Sequence, residues 1–206
     1  MTLTPQSTPV ATPHPALTEM GFFRLSVADY HDMIANGIVT PEDRVELLDG
    51  FLVTNMGQNS PHSSTVDRLD EDFKLSVSPG WRVRVQLPIT LFASEPEPDG
   101  VIVRGDRRTF DLRHPIAAEV ALVVEVADSS LRLDREVKGP IYARAGIPIY
   151  WIINLPEAKV EIYTHPSGPS DDPKYAERKD CTAADSIPLI LDGELIASLS
   201  VADILP

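Results

Sequence analysis

Two carboxylates stand where a rigid backbone would aim them into a cleft, which makes them ready ligands for a hard cation such as Mg²⁺. Asp99 follows Pro96-Glu97-Pro98, a lead-in that holds the chain extended, and enters a predicted strand at Gly100. Glu125 interrupts the most apolar stretch of the chain near its C-terminal end. An isolated carboxylate in apolar surroundings is costly unless paired, protonated or metal-bound, so Glu125 is the more informative of the two. Its alternatives are a strand exit to solvent or a pair with an arginine. Downstream, Lys138 and Tyr142 are four residues apart on a predicted helix and share a face. A helix that follows a strand directly folds back over the strand's end, which would aim Lys138 at Glu125. A solvated helical lysine is the alternative. Hydrolysis of a phosphodiester suits this set: a metal held by hard oxygens activates water and stabilises phosphoryl charge, and a lysine stabilises the transition state.

The elements that must hold these residues can be traced in order. Ser26 with Asp29 reads as the N-cap of a helix that stops near Gly37. Arg44–Leu48 and Phe51–Met56 flank Asp49-Gly50, a hairpin dipeptide. Ser60-Pro61 opens a long helix in which Val66, Leu69, Phe73 and Val77 recur at helical spacing up to Pro79-Gly80. Trp81 to Leu87 alternates apolar and polar residues as a strand does, Gly100 to Val103 forms another, and Val120 to Val126 has the β-branched pattern of a central strand. A helix from about Asp134 to Ala145 ends at Gly146-Ile147-Pro148. Ile149–Asn154, Lys159–Tyr163 and Ile187–Leu191 read as strands, Ser167–Asp172 as a loop, and Ser200 as the cap of a final turn of helix. Tyr150 and Trp151 read as core residues. The fold class is therefore α+β or mixed α/β, a sheet flanked by helices.

Glu-Leu-Leu-Asp-Gly at 46–50, Pro98-Asp99, Leu-Val-Val-Glu-Val-Ala-Asp-Ser-Ser at 122–130, Asp134, Lys138, and Tyr-Ala-Arg-Ala-Gly-Ile-Pro at 142–148 with Tyr150-Trp151 together resemble the Uma2 (DUF820-type) family of restriction-endonuclease-like proteins, over roughly residues 25–165. The resemblance implies the PD-(D/E)xK nuclease fold, a mixed four- or five-stranded sheet with helices on both sides, and a magnesium-dependent site for which Mn²⁺ could substitute. It matches Asp99 and Glu125 to the two metal-binding acids and Glu46 to an additional upstream acid. Many enzymes of this superfamily carry their lysine at the position of Ala127; Uma2-like sequences move it to the following helix, which makes Lys138 the candidate. Gly100, where an apolar residue commonly follows the Asp, is a small departure. Glu46 would bind a second metal or position a water, with an exposed strand carboxylate as its alternative. Asp134 caps its helix or holds Lys138. His62 faces the substrate or stands exposed in the first turn of its helix.

The chain has 206 residues and a formal charge of −13. Length and composition fit one domain over 19–206 behind a disordered Thr/Pro-rich leader at 1–18. No membrane span and no secretory signal are apparent, and Cys181 alone permits no internal disulfide, so the expected compartment is the cytoplasm. Cys181 itself reads as structural. Between Arg82 and Arg144 lie ten Lys/Arg and ten Asp/Glu, so the acidic excess lies entirely outside that window. DNA is therefore admissible as a substrate, although the basic stripe usual in nucleic-acid proteins is absent. The leading expectation is a Mg²⁺-dependent DNA endonuclease, acting as a homodimer as nucleases of this fold commonly do. The alternative from another class is a nuclease fold kept as an interaction or regulatory module with little catalysis, and a small-phosphoester hydrolase is the third.

Overall fold

The computed structural model describes residues 21–55, 57 and 59–206. The expected disordered leader and Met56, the expected end of the second hairpin strand, lie outside them. Helix α1 (Val27–Ala35) opens with a reciprocal cap: the Ser26 hydroxyl accepts from the Asp29 N–H at 3.1 Å, and the Asp29 carboxylate accepts from the Ser26 N–H at 2.8 Å. Strands β1 (Val45–Leu48) and β2 (Phe51–Thr54) pair antiparallel across Asp49 and Gly50, whose φ values of 47° and 82° are those the dipeptide favours. Gly50 is also needed for space, since a Cβ there would lie 2.6 Å from the Cβ of Arg24.

Helix α2 (Ser60–Ser76) is capped one residue earlier than expected. Asn59, rather than Ser60, accepts the hydrogen bond from the His62 N–H at 3.1 Å, which leaves Pro61 in the first turn. Val66, Leu69 and Phe73 are buried, while Val77 already lies beyond the helix end. Strand β3 (Trp81–Arg84) is shorter than its alternation predicts, because Gln86 adopts a φ of 51° and ends the extended run. Next come β4 (Gly100–Arg104) and β5 (Val120–Ala127), the latter buried throughout.

The following rod, α3, contains three consecutive helical stretches: Leu131–Leu133, a π-helical turn at Asp134–Lys138, and Gly139–Arg144. The expected helix is thus present, three residues longer at its start, with a widened turn that periodicity did not reveal. Pro140 accounts for the turn: it cannot donate to an i−4 carbonyl, and its ring would crowd that carbonyl. In the turn the Gly139 N–H bonds to the Asp134 carbonyl, five residues back, and a Cβ on Gly139 would approach that oxygen to 3.2 Å.

Strands β6 (Ile149–Asn154), β7 (Lys159–Pro166) and β8 (Tyr175–Thr182) complete a six-stranded mixed sheet in the order β3-β4-β5-β6-β7-β8. Its one parallel pair, β5 with β6, is joined by α3; the others are antiparallel. Six strands replace the four or five that the resemblance implied. The unanticipated β8 is a charged edge strand, Tyr-Ala-Glu-Arg-Lys-Asp-Cys-Thr, whose pairing with β7 sets its structure against a sequence without apolar alternation. A separate hairpin of β9 (Ser186–Leu191) and the likewise unanticipated β10 (Glu194–Ser200) leads into α4 (Val201–Ile204), where the Ser200 side chain makes no capping bond.

Side chains of β5 alternate between two cores. Leu122, Val124 and Val126 pack with α2, Trp151, Cys181 and the β9–β10 hairpin, and Val123 and Ala127 pack with Ile141, Tyr142 and Tyr150 on the α3 side. Tyr150, Trp151 and Cys181 are core residues, as their types predicted. A small third cluster of Tyr30, Val39 and Leu47 ties α1 to the β1–β2 hairpin.

Candidate active site

Glu125 lies on β5 between Val123 and Ala127, so alternation aims it at the α3 side rather than out to solvent. Asp99 immediately precedes β4, whose Gly100 is paired with Val124, and the Asp99 carboxylate accepts from the Val126 N–H at 2.8 Å. Antiparallel pairing thus brings the two acids to the same end of adjacent strands. The other Asp99 contacts are His62 Nε2 at 3.1 Å and Gln86 Nε2 at 3.2 Å. Glu46 reaches in from β1, is 1% exposed, and accepts from the Glu97 N–H at 3.0 Å.

The π turn delivers Lys138. Its ammonium stands 3.1 Å from Glu125 Oε1 and 3.2 Å from Glu46 Oε1, with 6% of the residue exposed. The Tyr142 hydroxyl donates to Glu125 Oε1 at 2.6 Å. Asp134, one turn before Lys138, accepts from the Ser130 hydroxyl at 2.6 Å, while its backbone carbonyl accepts from the Tyr150 hydroxyl at 3.2 Å. Asp134 lies inside the helical rod, so it is not the helix cap. Glu46, His62, Asp99, Glu125, Asp134 and Lys138 all line one cavity of about 500 Å³; Tyr142 lies behind it, fully buried against Glu125.

The electrostatics of the cavity are unbalanced. Burial pushes the Glu125 carboxyl well above its ordinary range, as do the charges of Asp134, Asp99 and Glu46 against the opposing pull of Lys138. Burial raises Asp134 to about 6 and also raises Glu97, which is further disfavoured by Glu46. Burial opposes the charge on Lys138, yet Glu125, Glu46 and Asp134 together hold it protonated, above its usual value. For His62, burial is outweighed by the hydrogen bond to Asp99 and the charges of Asp99, Asp134 and Asp128, so its pKa rises. Six carboxylates, Glu46, Glu97, Asp99, Glu125, Asp128 and Asp134, therefore line the cavity against Lys138, His62 and, at the rim, Arg44. That excess, made entirely of hard oxygen donors, suits a divalent cation. Among the described residues no three His, Cys, Asp or Glu side chains converge to hold a metal by themselves. One or two carboxylates acting together with water are enough for a hard divalent cation, and the cavity offers oxygen donors of that type.

The chain matches the model of Uma2, described as "Putative restriction endonuclease", over residues 27–198. It belongs to the Uma2 family. No curated protein matches the chain. Among solved structures, a "putative nuclease belonging to DUF820" from Anabaena variabilis superimposes with a TM-score of 0.66 at 16% identity, covering 87% of this chain and 97% of that one. The two chains share a fold, a mixed sheet flanked by helices. No helix among the described residues is long and apolar enough to cross a membrane.

Three residues of this Uma2 site escaped the sequence reading. Glu97 had a usable signal: in the extended Pro96-Glu97-Pro98-Asp99 stretch, residues two apart share a face, so Glu97 accompanies Asp99 into the cavity. Gln86 had none, because its bond to Asp99 depends on a positive φ that no local sequence rule assigns to glutamine. Ser130 belonged to a quoted motif, and its serine four residues before Asp134 is the spacing at which one helical turn brings hydroxyl and carboxylate together.

Proposed function

We propose that the cavity is the site of a Mg²⁺-dependent endonuclease that hydrolyses DNA phosphodiester bonds. One observation carries this reading: Asp99, Glu125 and Lys138, from three separate elements, line one acid-rich cavity with the Lys138 ammonium 3.1 Å from Glu125. Family membership supports the nuclease class. Asp99 and Glu125 would hold the ion, which when bound activates water and stabilises charge on the phosphoryl oxygens.

The remaining roles belong to the chain itself. Lys138 stays protonated and therefore acts by its charge, placed to stabilise the negative charge that grows on the phosphoryl group, rather than as a base. Tyr142, held neutral by burial, donates to Glu125 and fixes that carboxylate's orientation. His62 and the Val126 N–H do the same for Asp99. Glu46 and Glu97, side by side in the cavity, offer acceptors that orient an attacking water. The test is divalent-dependent cleavage of circular DNA: Asp99→Ala and Lys138→Ala should each lower the rate by on the order of 10²–10³-fold or more while retaining the wild-type circular-dichroism spectrum. Retained activity in both would overturn the assignment.

A specific observation favours a second reading, an interaction module: the net charge of −13 without a compensating basic stripe. Such a module would bind no Mn²⁺ that Asp99→Asn removes.

A further inference from the structure

The groups assigned to chemistry lie at the bottom of a recess. Glu46, Glu125 and Lys138 are 1%, 3% and 6% exposed, and each nevertheless lines the cavity. A phosphate on the outside of a duplex is held by a stiff, convex backbone, whereas a phosphate in a single strand can follow the chain into a recess. A second feature lies on the same cavity, unused by the proposed chemistry. The end of α1 and the turn after it present Ile34, Val39 and Pro41, and Leu133 of α3 adds a fourth apolar side chain. Ile34 is 45% exposed and Pro41 is exposed too, so this part of the wall is open to a ligand, while Val39, buried with Tyr30 and Leu47, backs it from the core. Beside it Arg44, exposed and in the left-handed backbone region, lines the rim with no ion-pair partner among the described residues.

An apolar wall beside a phosphate-handling site and a free guanidinium is what an unstacked nucleotide requires: a surface for the base, a cation for the neighbouring phosphate, and carboxylates at the scissile bond. Charge points the same way. Duplex DNA carries about one negative charge per 1.7 Å of axis and a single strand about one per 3.4 Å, so a protein at −13 repels a single strand less. We propose that this site takes single-stranded DNA, seating one nucleoside on the exposed Ile34 and Pro41, which Val39 backs, with Arg44 on the adjoining phosphate. The proposal rests on the nuclease reading above.

The test compares a fluorescein-labelled oligodeoxynucleotide as a single strand, as a blunt duplex, and as the unpaired arm of a flapped duplex, at low salt with Mn²⁺. The single strand and the unpaired arm should be cut at least about tenfold faster than the duplex, the scale on which one apolar pocket contact discriminates. Ile34→Asp, at an exposed position, should lower kcat/KM on the single strand by about tenfold, and Arg44→Gln should weaken anisotropy-measured binding of the strand to the Glu125→Gln protein. A duplex cut as fast as the single strand, or a strand preference untouched by both variants, overturns the proposal and leaves the nuclease reading standing. No cleavage of any of the three DNAs overturns both.

Discussion

Two buried glutamates face the same helix from neighbouring regions of one sheet, and they are treated in opposite ways. Glu161 on β7, fully buried, is met by Arg135 through both carboxylate oxygens, by Asn154 at 2.7 Å, by Tyr163 at 2.7 Å and by Arg178 at 3.3 Å. Burial alone would raise its pKa, but these partners prevail and hold it below the ordinary range. Glu125 on β5 shares a single ammonium with Glu46 and is pushed upward. The π turn supplies a cation to each centre, Arg135 to one and Lys138 to the other. A saturated network anchors the helix to the sheet; an undersupplied one leaves carboxylates whose charge must be balanced by a proton or by a cation from outside. The sign and completeness of compensation, rather than burial itself, separate the structural centre from the candidate active site.

That contrast can be broken by exchanging which centre suffers. Glu161→Ala should cost about 2 kcal/mol of stability in urea unfolding, below the usual figure for breaking a buried pair because Arg135 and Arg178 are 30% and 37% exposed and regain water. Mn²⁺ affinity, measured on the folded protein, should be unchanged. The same variant should flatten the acid limb of the stability profile. Lys159 and Asn154 hold Glu157 down to about 2, and Glu161 is likewise lowered. Stability from these carboxylates is complete above the ordinary glutamate value near 4.5 and is lost as pH falls from there toward their folded values. An unchanged acid slope in Glu161→Ala would show that the network does not couple to folding. On the other side, Asp134→Asn should stabilise the metal-free protein at pH 7 by about 1–2 kcal/mol, since burial disfavours the charge that the substitution removes. A loss of stability instead would erase the distinction between the two centres. Tyr142→Phe should cost about 1 kcal/mol and lower cleavage modestly, because Glu125 keeps Lys138 when it loses the phenol.

Much of this was legible in the chain. The apolar, largely β-branched run that Glu125 interrupts marked both the central strand and the acid worth asking about, and Asp49-Gly50 fixed the hairpin that carries Glu46. Lys138 was legible through order along the chain, strand then helix, and through the Uma2 resemblance; spacing alone left a solvated lysine open. The missing parts have physical causes. Edge strand β8 is charged, so its strand state comes from pairing with β7 rather than from its own pattern. The π turn follows from Gly139-Pro140 within a helix, a combination that announces a disturbance without giving its geometry. The Glu161 network joins residues on α3, β6, β7 and β8, and no local periodicity records such a convergence.

The measurement that bears most directly on the undersupplied centre is calorimetric titration of Mn²⁺ into the wild-type protein and Asp99→Asn, followed on the same samples by cleavage of circular single-stranded and plasmid DNA with and without the metal. Saturable binding lost in Asp99→Asn, with cleavage that disappears alongside it, is the predicted result. Absence of site-dependent binding in the wild type would contradict the central claim and leave the acid-rich cavity as the pocket of an interaction module.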